Sequence, residues 1–117
     1  MERIRNLVDK IVHKHGTNDP YVLCKKLGIL LRQVNLINVR GIYQNHFRKK
    51  IIYINNTLNP STKSWVLAHE LGHAVLHKNI NTVFLYANAD TSIDKFELEA
   101  NKFASELLFH TRNLESK

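Results

Sequence analysis

The sequence predicts an α+β domain: a three-stranded sheet, antiparallel or mixed, packed on a long helix, with a helical hairpin before it and a further helix after it. Three observations carry that expectation. Apolar residues recur at helical spacing at both ends of the chain, runs of Ile, Leu, Val and Tyr separated by turn formers fill residues 29–55, and Asp19-Pro20 and Asn59-Pro60 each place a capping side chain before a helix-starting proline. With 117 residues the chain is sized for one core, so a single domain over 1–117 is expected.

The N-terminal helices occupy 2–28. Ile4, Leu7, Val8, Ile11 and Val12 form one stripe that ends at Gly16, and a second, short helix carries Val22, Leu23 and Leu27 from Pro20 to Gly28. A helix-turn-helix that reads DNA would put Asp19, Pro20 and Tyr21 against the bases, where an acid repels phosphate, so a packing hairpin is the better reading. The sheet region, 29–55, reads as strands near 29–35, 40–45 and 50–55, the last two joined as an antiparallel hairpin around Asn45 to Lys49. A helix over 59–78 follows. Residues 79–91 hold an apolar patch, Val83 to Tyr86, that reads as either loop or strand, and a last helix over 92–109 places Phe96, Ala100, Phe103, Ala104, Leu107 and Leu108 on one face.

Composition narrows the function classes. Hydrophobic residues at 44% and charged residues at 23% exclude a disordered or fibrous chain. The charged start, Met1 to Arg5, is unlike a signal peptide, and no apolar run is long enough to span a membrane, so a cytoplasmic protein without membrane contact is expected. The lone Cys24 fits a reducing compartment and reads as a small core residue. A net charge of +7 raises the question of an acidic partner, but the cations are scattered without a basic stripe or aromatic platform, so direct nucleic-acid binding is not expected.

The chemistry sits on the third helix. His69-Glu70-Leu71-Gly72-His73 is an H-E-x-x-H pattern, which random placement would yield in about 2 of 100 such chains. Residues four apart share a helix face, so His69 and His73 can hold one zinc ion while Glu70, the candidate catalytic residue, reaches the water beside it. A hydrolytic zinc site takes three protein ligands and leaves one position to water, so a third ligand is required. His77, another turn along, lies about 6 Å farther on and tends to miss the same ion. A metzincin would need Gly at 76 and His at 79, where the chain has Leu76 and Asn79.

On the last helix, Glu97 lies roughly 65° from the centre of the apolar face and Glu99 roughly 95° away on the other side. Burial therefore favours Glu97 as the third zinc ligand, with Glu99 read as a solvated charge and Asn101 as a group hydrogen-bonding a ligand. Gly72 costs about 1 kcal/mol relative to Ala in a helix interior, which points to close approach of substrate or of a neighbouring element, or to a tolerated weak position. Tyr53, Tyr86, His46 and His77 are the candidates for stabilising an oxyanion, and Ile51 to Ile54 could pair with an extended substrate as an added strand.

His69-Glu70-Leu71-Gly72-His73, Leu76-His77 and the run from Glu97 to Leu108 together resemble the ImmA/IrrE family of zinc metallopeptidases. His15 to Asp19, Cys24, His77-Lys78 and Asn81-Thr82 are similar to its ImmA branch, carried by mobile elements and prophages. The resemblance implies a small zincin-like domain of the gluzincin type and a zinc-dependent endopeptidase. Its zinc ligands would be His69, His73 and Glu97, its catalytic acid Glu70, and its substrate a helix-turn-helix repressor, making the enzyme an anti-repressor. The chain departs from the pattern after Leu107-Leu108, where Phe109-His110-Thr111 stands where many relatives have a Pro followed by a further C-terminal region. Two competing readings are a non-catalytic, zinc-stabilised module that binds a repressor or nucleic acid, with His77 or His110 as a fourth ligand, and the toxin of a toxin–antitoxin pair.

Overall fold

The computed structural model describes residues 1–82 and 91–111, the side chains of residues 91–94 apart. The patch from Val83 to Tyr86, left between loop and strand by its sequence, lies outside the described residues. In chain order the elements are α1 (Glu2–His15), α2 (Pro20–Lys26), β1 (Leu30–Val34), β2 (Gly41–His46), β3 (Lys49–Asn55), α3 (Pro60–Leu76) and α4 (Thr91–Leu108).

Local chemistry accounts for the helix ends. Gly16 closes α1 in the left-handed region, φ 70, with its N–H donating to the Val12 carbonyl. The Asp19 carboxylate accepts from Tyr21 N at the start of α2, and Asn59 Oδ1 accepts from Thr62 N at the start of α3, each ahead of a first-turn proline. Asn18 reaches the other end of the chain: its Nδ2 donates to the Leu107 carbonyl at 3.1 Å and ties the end of α4 to the turn after α1.

The sheet is mixed, in the order β1-β3-β2. β2 and β3 form the expected antiparallel hairpin, with Tyr43 opposite Ile52, while β1 runs parallel to β3, with Leu30 opposite Ile51. The hairpin turn is two residues, Phe47 and Arg48, both with positive φ, the geometry whose twist matches the flanking strands. Central placement of β3 corrects one expectation. Ile51 to Ile54 are paired on both sides and have no open edge for a substrate, so the edge strand beside the helix layer is β2.

One core joins the layers. Tyr43, Ile52 and Ile54 from the sheet bury with Val66, Leu67 and Leu71 of α3, Phe103, Ala104 and Leu107 of α4, and Ile4, Val8 and Val12 of α1. α1 docks on α4 and α2 on α3, so the two arms of the N-terminal hairpin brace different helices. Gly72 is explained by the neighbouring element. A Cβ there would stand 3.0 Å from Phe103 Cβ and 3.3 Å from Ala100 Cα, so α3 and α4 cross at a separation that only glycine permits without a shift.

Candidate metal centre

α3 and α4 face each other with polar side chains on the side that opens to solvent. His69 Nε2 lies 3.0 Å from Glu97 Oε1 and His73 Nε2 lies 2.8 Å from Glu97 Oε2, so one carboxylate spans both imidazoles. One ligand atom from each of these three residues falls within 4.8 Å of the others. Two imidazole nitrogens and a carboxylate oxygen at that separation are a donor set that suits a divalent metal ion, so the residues present fit such an ion. Among the described residues no other group of three or more His, Cys, Asp or Glu side chains meets the same separation.

The electrostatics follow from the shared carboxylate. Burial pushes the Glu97 pKa up, but hydrogen bonds and charge from His69 and His73 outweigh it and hold the group at about 2. Burial likewise lowers both imidazoles. For His69 the hydrogen bond to Glu97 and the nearby Glu70 reverse the effect and raise it, whereas fully buried His73 stays lowered. In the metal-free protein His69 is therefore the imidazole more readily protonated beside Glu97.

The outer nitrogens of the two imidazoles are also engaged. His69 Nδ1 lies 2.8 Å from Asn101 Oδ1, the role expected for Asn101. His73 Nδ1 lies 3.0 Å from His77 Nδ1, and His77 Nε2 lies 2.6 Å from Glu99 Oε1. Here the expectation for Glu99 is corrected. It is not a solvated charge: it is held by His77 and, at 3.1 Å, by Arg3 of α1, which walls off the side of α4 that the helical wheel assigned to solvent. Neither Glu99 nor His77 joins the group formed by His69, His73 and Glu97.

Glu70 is buried, 2% exposed, and lines a cleft of about 420 Å³ with His69, Glu97, Asn101, Trp65, Val66, Gly41 and the loop residues Asn38, Val39 and Arg40. That volume is ample for side chains of a peptide. Asn55 shapes the lip, its Nδ2 donating to the carbonyls of Leu36 at 2.7 Å and Val39 at 3.0 Å. At the base of the cleft β2 passes close under α3, and a Cβ on Gly41 would meet Val66 Cγ1 at 2.6 Å. The edge of β2 is capped farther along, where Thr82 Oγ1 accepts from Tyr43 N and Asn81 Oδ1 accepts from Asn45 N.

The oxyanion candidates are placed elsewhere. Tyr53 alternates with buried Ile52 and Ile54 and so sits on the sheet face opposite α3. His46 meets Phe47 edge-on at the turn end of β2, His77 is occupied by His73 and Glu99, and Tyr86 lies outside the described residues. The cleft residues missing from the sequence reading are Asn38, Val39, Arg40, Gly41, Trp65 and Val66. Trp65, four residues before His69 on the same helix face, carried the one signal that could have found it.

Fold and site together define a metallopeptidase domain of the H-E-x-x-H class. Residues 24–117 match the family model described as the IrrE N-terminal-like domain, a peptidase family. The chain is 41% identical over 106 residues to immunity region protein 2 of Bacillus phage phi105, covering 90% of this chain and 67% of that protein. It is 34% identical over 113 residues to the metallopeptidase ImmA of Bacillus subtilis strain 168, covering 95% of this chain and 66% of that one. The chain belongs to the ImmA/IrrE family, and it spans about two thirds of the length of each of these relatives. Among the described residues no helix is long and apolar enough to cross a membrane.

Proposed function

We propose that the chain is a zinc-dependent endopeptidase acting on a helix-turn-helix repressor, with His69, His73 and Glu97 as zinc ligands and Glu70 as general base. The observation that carries the reading is the gathering of three ligand atoms within 4.8 Å at the mouth of the cleft that Glu70 also lines. Zinc in that position supplies a Lewis acid for the scissile carbonyl and makes the attacking water more acidic. Glu70 accepts the proton of that water and returns it to the leaving amine, one carboxylate serving both proton transfers. Asn101 and His77 hold the two imidazoles from behind, and the N–H and C=O of Gly41, directed away from β3, offer backbone pairing to an extended substrate at the one end of β2 that Asn81 and Thr82 do not cap.

The repressor as substrate rests on the likeness to ImmA and to a phage protein named for an immunity region. A non-catalytic module would need a fourth protein ligand. The two candidates are engaged elsewhere: His77 bridges His73 and Glu99, and His110 Nε2 lies 2.7 Å from Asp9 Oδ1. The test is to incubate the zinc-loaded chain with the repressor encoded beside it and look for discrete fragments. Cleavage that stops with a chelator and with Glu70→Gln, at undiminished zinc content, supports the reading. An uncut repressor refutes the substrate, and a Glu70→Gln variant that cuts at the wild-type rate refutes the base.

A further inference from the structure

We propose that His77 and Glu99 are positioning residues that fix the proton arrangement of His73, so that its Nε2 lone pair is presented to the metal, with Arg3 steadying the far end. The inference rests on the zinc reading of His69, His73 and Glu97, and it extends the hold of His77 to two side chains that this reading leaves unused, Glu99 and Arg3.

The argument is a count of donors and acceptors. An imidazole that gives its Nε2 lone pair to an ion keeps its one proton on Nδ1, and that N–H needs an acceptor because His73 is fully buried. The group facing His73 Nδ1 is His77 Nδ1 at 3.0 Å, so His77 must present a lone pair there and carry its proton on Nε2. That N–H meets Glu99 Oε1 at 2.6 Å, and an ionised carboxylate can only accept. Every hydrogen bond then runs one way, from His73 to His77 to Glu99, and both imidazoles are neutral and satisfied. The reverse arrangement would put a proton on His73 Nε2, where the ion belongs. His69 achieves the same end in one step through Asn101. His73 lies deeper, and its route to an anion passes through His77 to Glu99 of α4, which Arg3 of α1 holds in turn.

Geometry also ranks the contributions. His77 is 7% exposed and packs against Phe96 with ring centroids 4.6 Å apart and the planes tilted by 56°, so its orientation is set by packing. The Glu99 side chain is 13% exposed and accepts from both His77 and Arg3, whereas the Arg3 side chain is 68% exposed and its ion pair is weakened by water. Loss of a group behind a ligand weakens metal binding by about 10- to 100-fold. His77→Phe keeps a ring against Phe96 but has no acceptor, and falls in that range. Glu99→Leu falls at its lower end. Arg3→Ala changes affinity less than about threefold.

The experiment measures zinc affinity by competition with a chromophoric chelator for the full chain and for His77→Phe, His77→Gln, Glu99→Leu, Glu99→Gln and Arg3→Ala. Folding is checked by circular dichroism, and the protonation pattern of the histidines in the zinc-loaded protein is read by long-range nitrogen–proton NMR. The expected result is weak binding by His77→Phe and Glu99→Leu and recovery to within about threefold of wild type in His77→Gln and Glu99→Gln, whose amide oxygens still accept a hydrogen bond. His73 should carry its proton on Nδ1, and His77 on Nε2. Wild-type affinity in His77→Phe, or a His77 proton found on Nδ1, overturns the relay while leaving the zinc site standing. Failure of the wild-type chain to take up zinc overturns the site and the relay together. If His77→Phe does not fold, Glu99→Leu against Glu99→Gln decides the question.

Discussion

Replacing Gly72 with Ala tests whether the separation of α3 and α4 sets the metal site. The added Cβ would stand 3.0 Å from Phe103 Cβ, 3.2 Å from Phe103 Cγ and 3.3 Å from Ala100 Cα. Two of these three atoms are Cβ and Cα, which cannot swing aside, so relief requires α4 to move by a few tenths of an ångström. Two effects oppose each other. Ala in place of Gly favours the helix by about 1 kcal/mol, while overpacking a filled contact costs about 1–3 kcal/mol. The net expectation for the metal-free protein is between no change and about 2 kcal/mol of destabilisation, a melting temperature lower by up to about 8 °C for a chain of this size. The sharper consequence is for zinc. Glu97 lies one turn before Ala100, and a metal site tolerates about 0.2 Å in its ligand distances, so even a structurally tolerated shift weakens binding. Thermal melts with and without zinc, with chelator competition, separate the two effects. A variant stabilised by about 1 kcal/mol that binds zinc like wild type would refute the claim that this crossing holds Glu97 in place.

Further outcomes follow from the same geometry. Glu97→Gln, which removes the carboxylate shared by both imidazoles, abolishes stoichiometric zinc uptake in a chelator competition while the secondary structure seen by circular dichroism persists. In the metal-free protein Glu97 is held at about 2, below its ordinary 4.5, so its contribution to stability is present above about pH 4.5 and is lost as the pH falls from there through 2; at about 1.4 kcal/mol per unit this is at most about 3.5 kcal/mol. Lowered His73 adds to the loss below pH 6.5, raised His69 opposes it by favouring the folded state there, and the stability gap between wild type and Glu97→Gln should therefore close toward pH 2 in denaturant titrations. At the hairpin, Phe47→Asn with Arg48→Gly places residues suited to positive φ in the turn and raises stability by about 1 kcal/mol, read as a shifted denaturation midpoint with unchanged slope.

Much of the fold was legible because its signals are local. Caps such as Asn59-Pro60 and the glycine at 16 need only neighbouring residues, and the H-E-x-x-H spacing needs only a helix. The order β1-β3-β2 was not legible, because parallel pairing of Leu30 with Ile51 depends on contacts across twenty residues that leave no mark in either run. The helical wheel selected the acid that reaches both imidazoles yet misjudged its neighbour, for one physical reason. A wheel assumes one buried face, and α4 has two: α3 meets the side bearing Glu97, and Arg3 and Arg5 of α1 meet the side bearing Glu99 and Glu106. Residues of the cleft lip were hidden for a related reason, since Asn38 to Arg40 gain their position from Asn55, which lies beyond the next strand.

The site depends on two ladders meeting at one separation. α3 supplies imidazoles at 69, 73 and 77, one per turn, and α4 supplies Glu97, Glu99 and Asn101. Every imidazole finds a partner: His69 meets Glu97 and Asn101, His73 meets Glu97, and His77 meets Glu99. Neither helix could hold such a set alone, since two buried imidazoles and a half-buried one without acceptors, and two carboxylates among apolar side chains, are each costly. Burial therefore becomes tolerable only where the two helices cross closely enough for hydrogen bonds, and Gly72 sits at that crossing. The glycine is as much a part of the centre as the ligands, because it sets the distance at which their hydrogen bonds form.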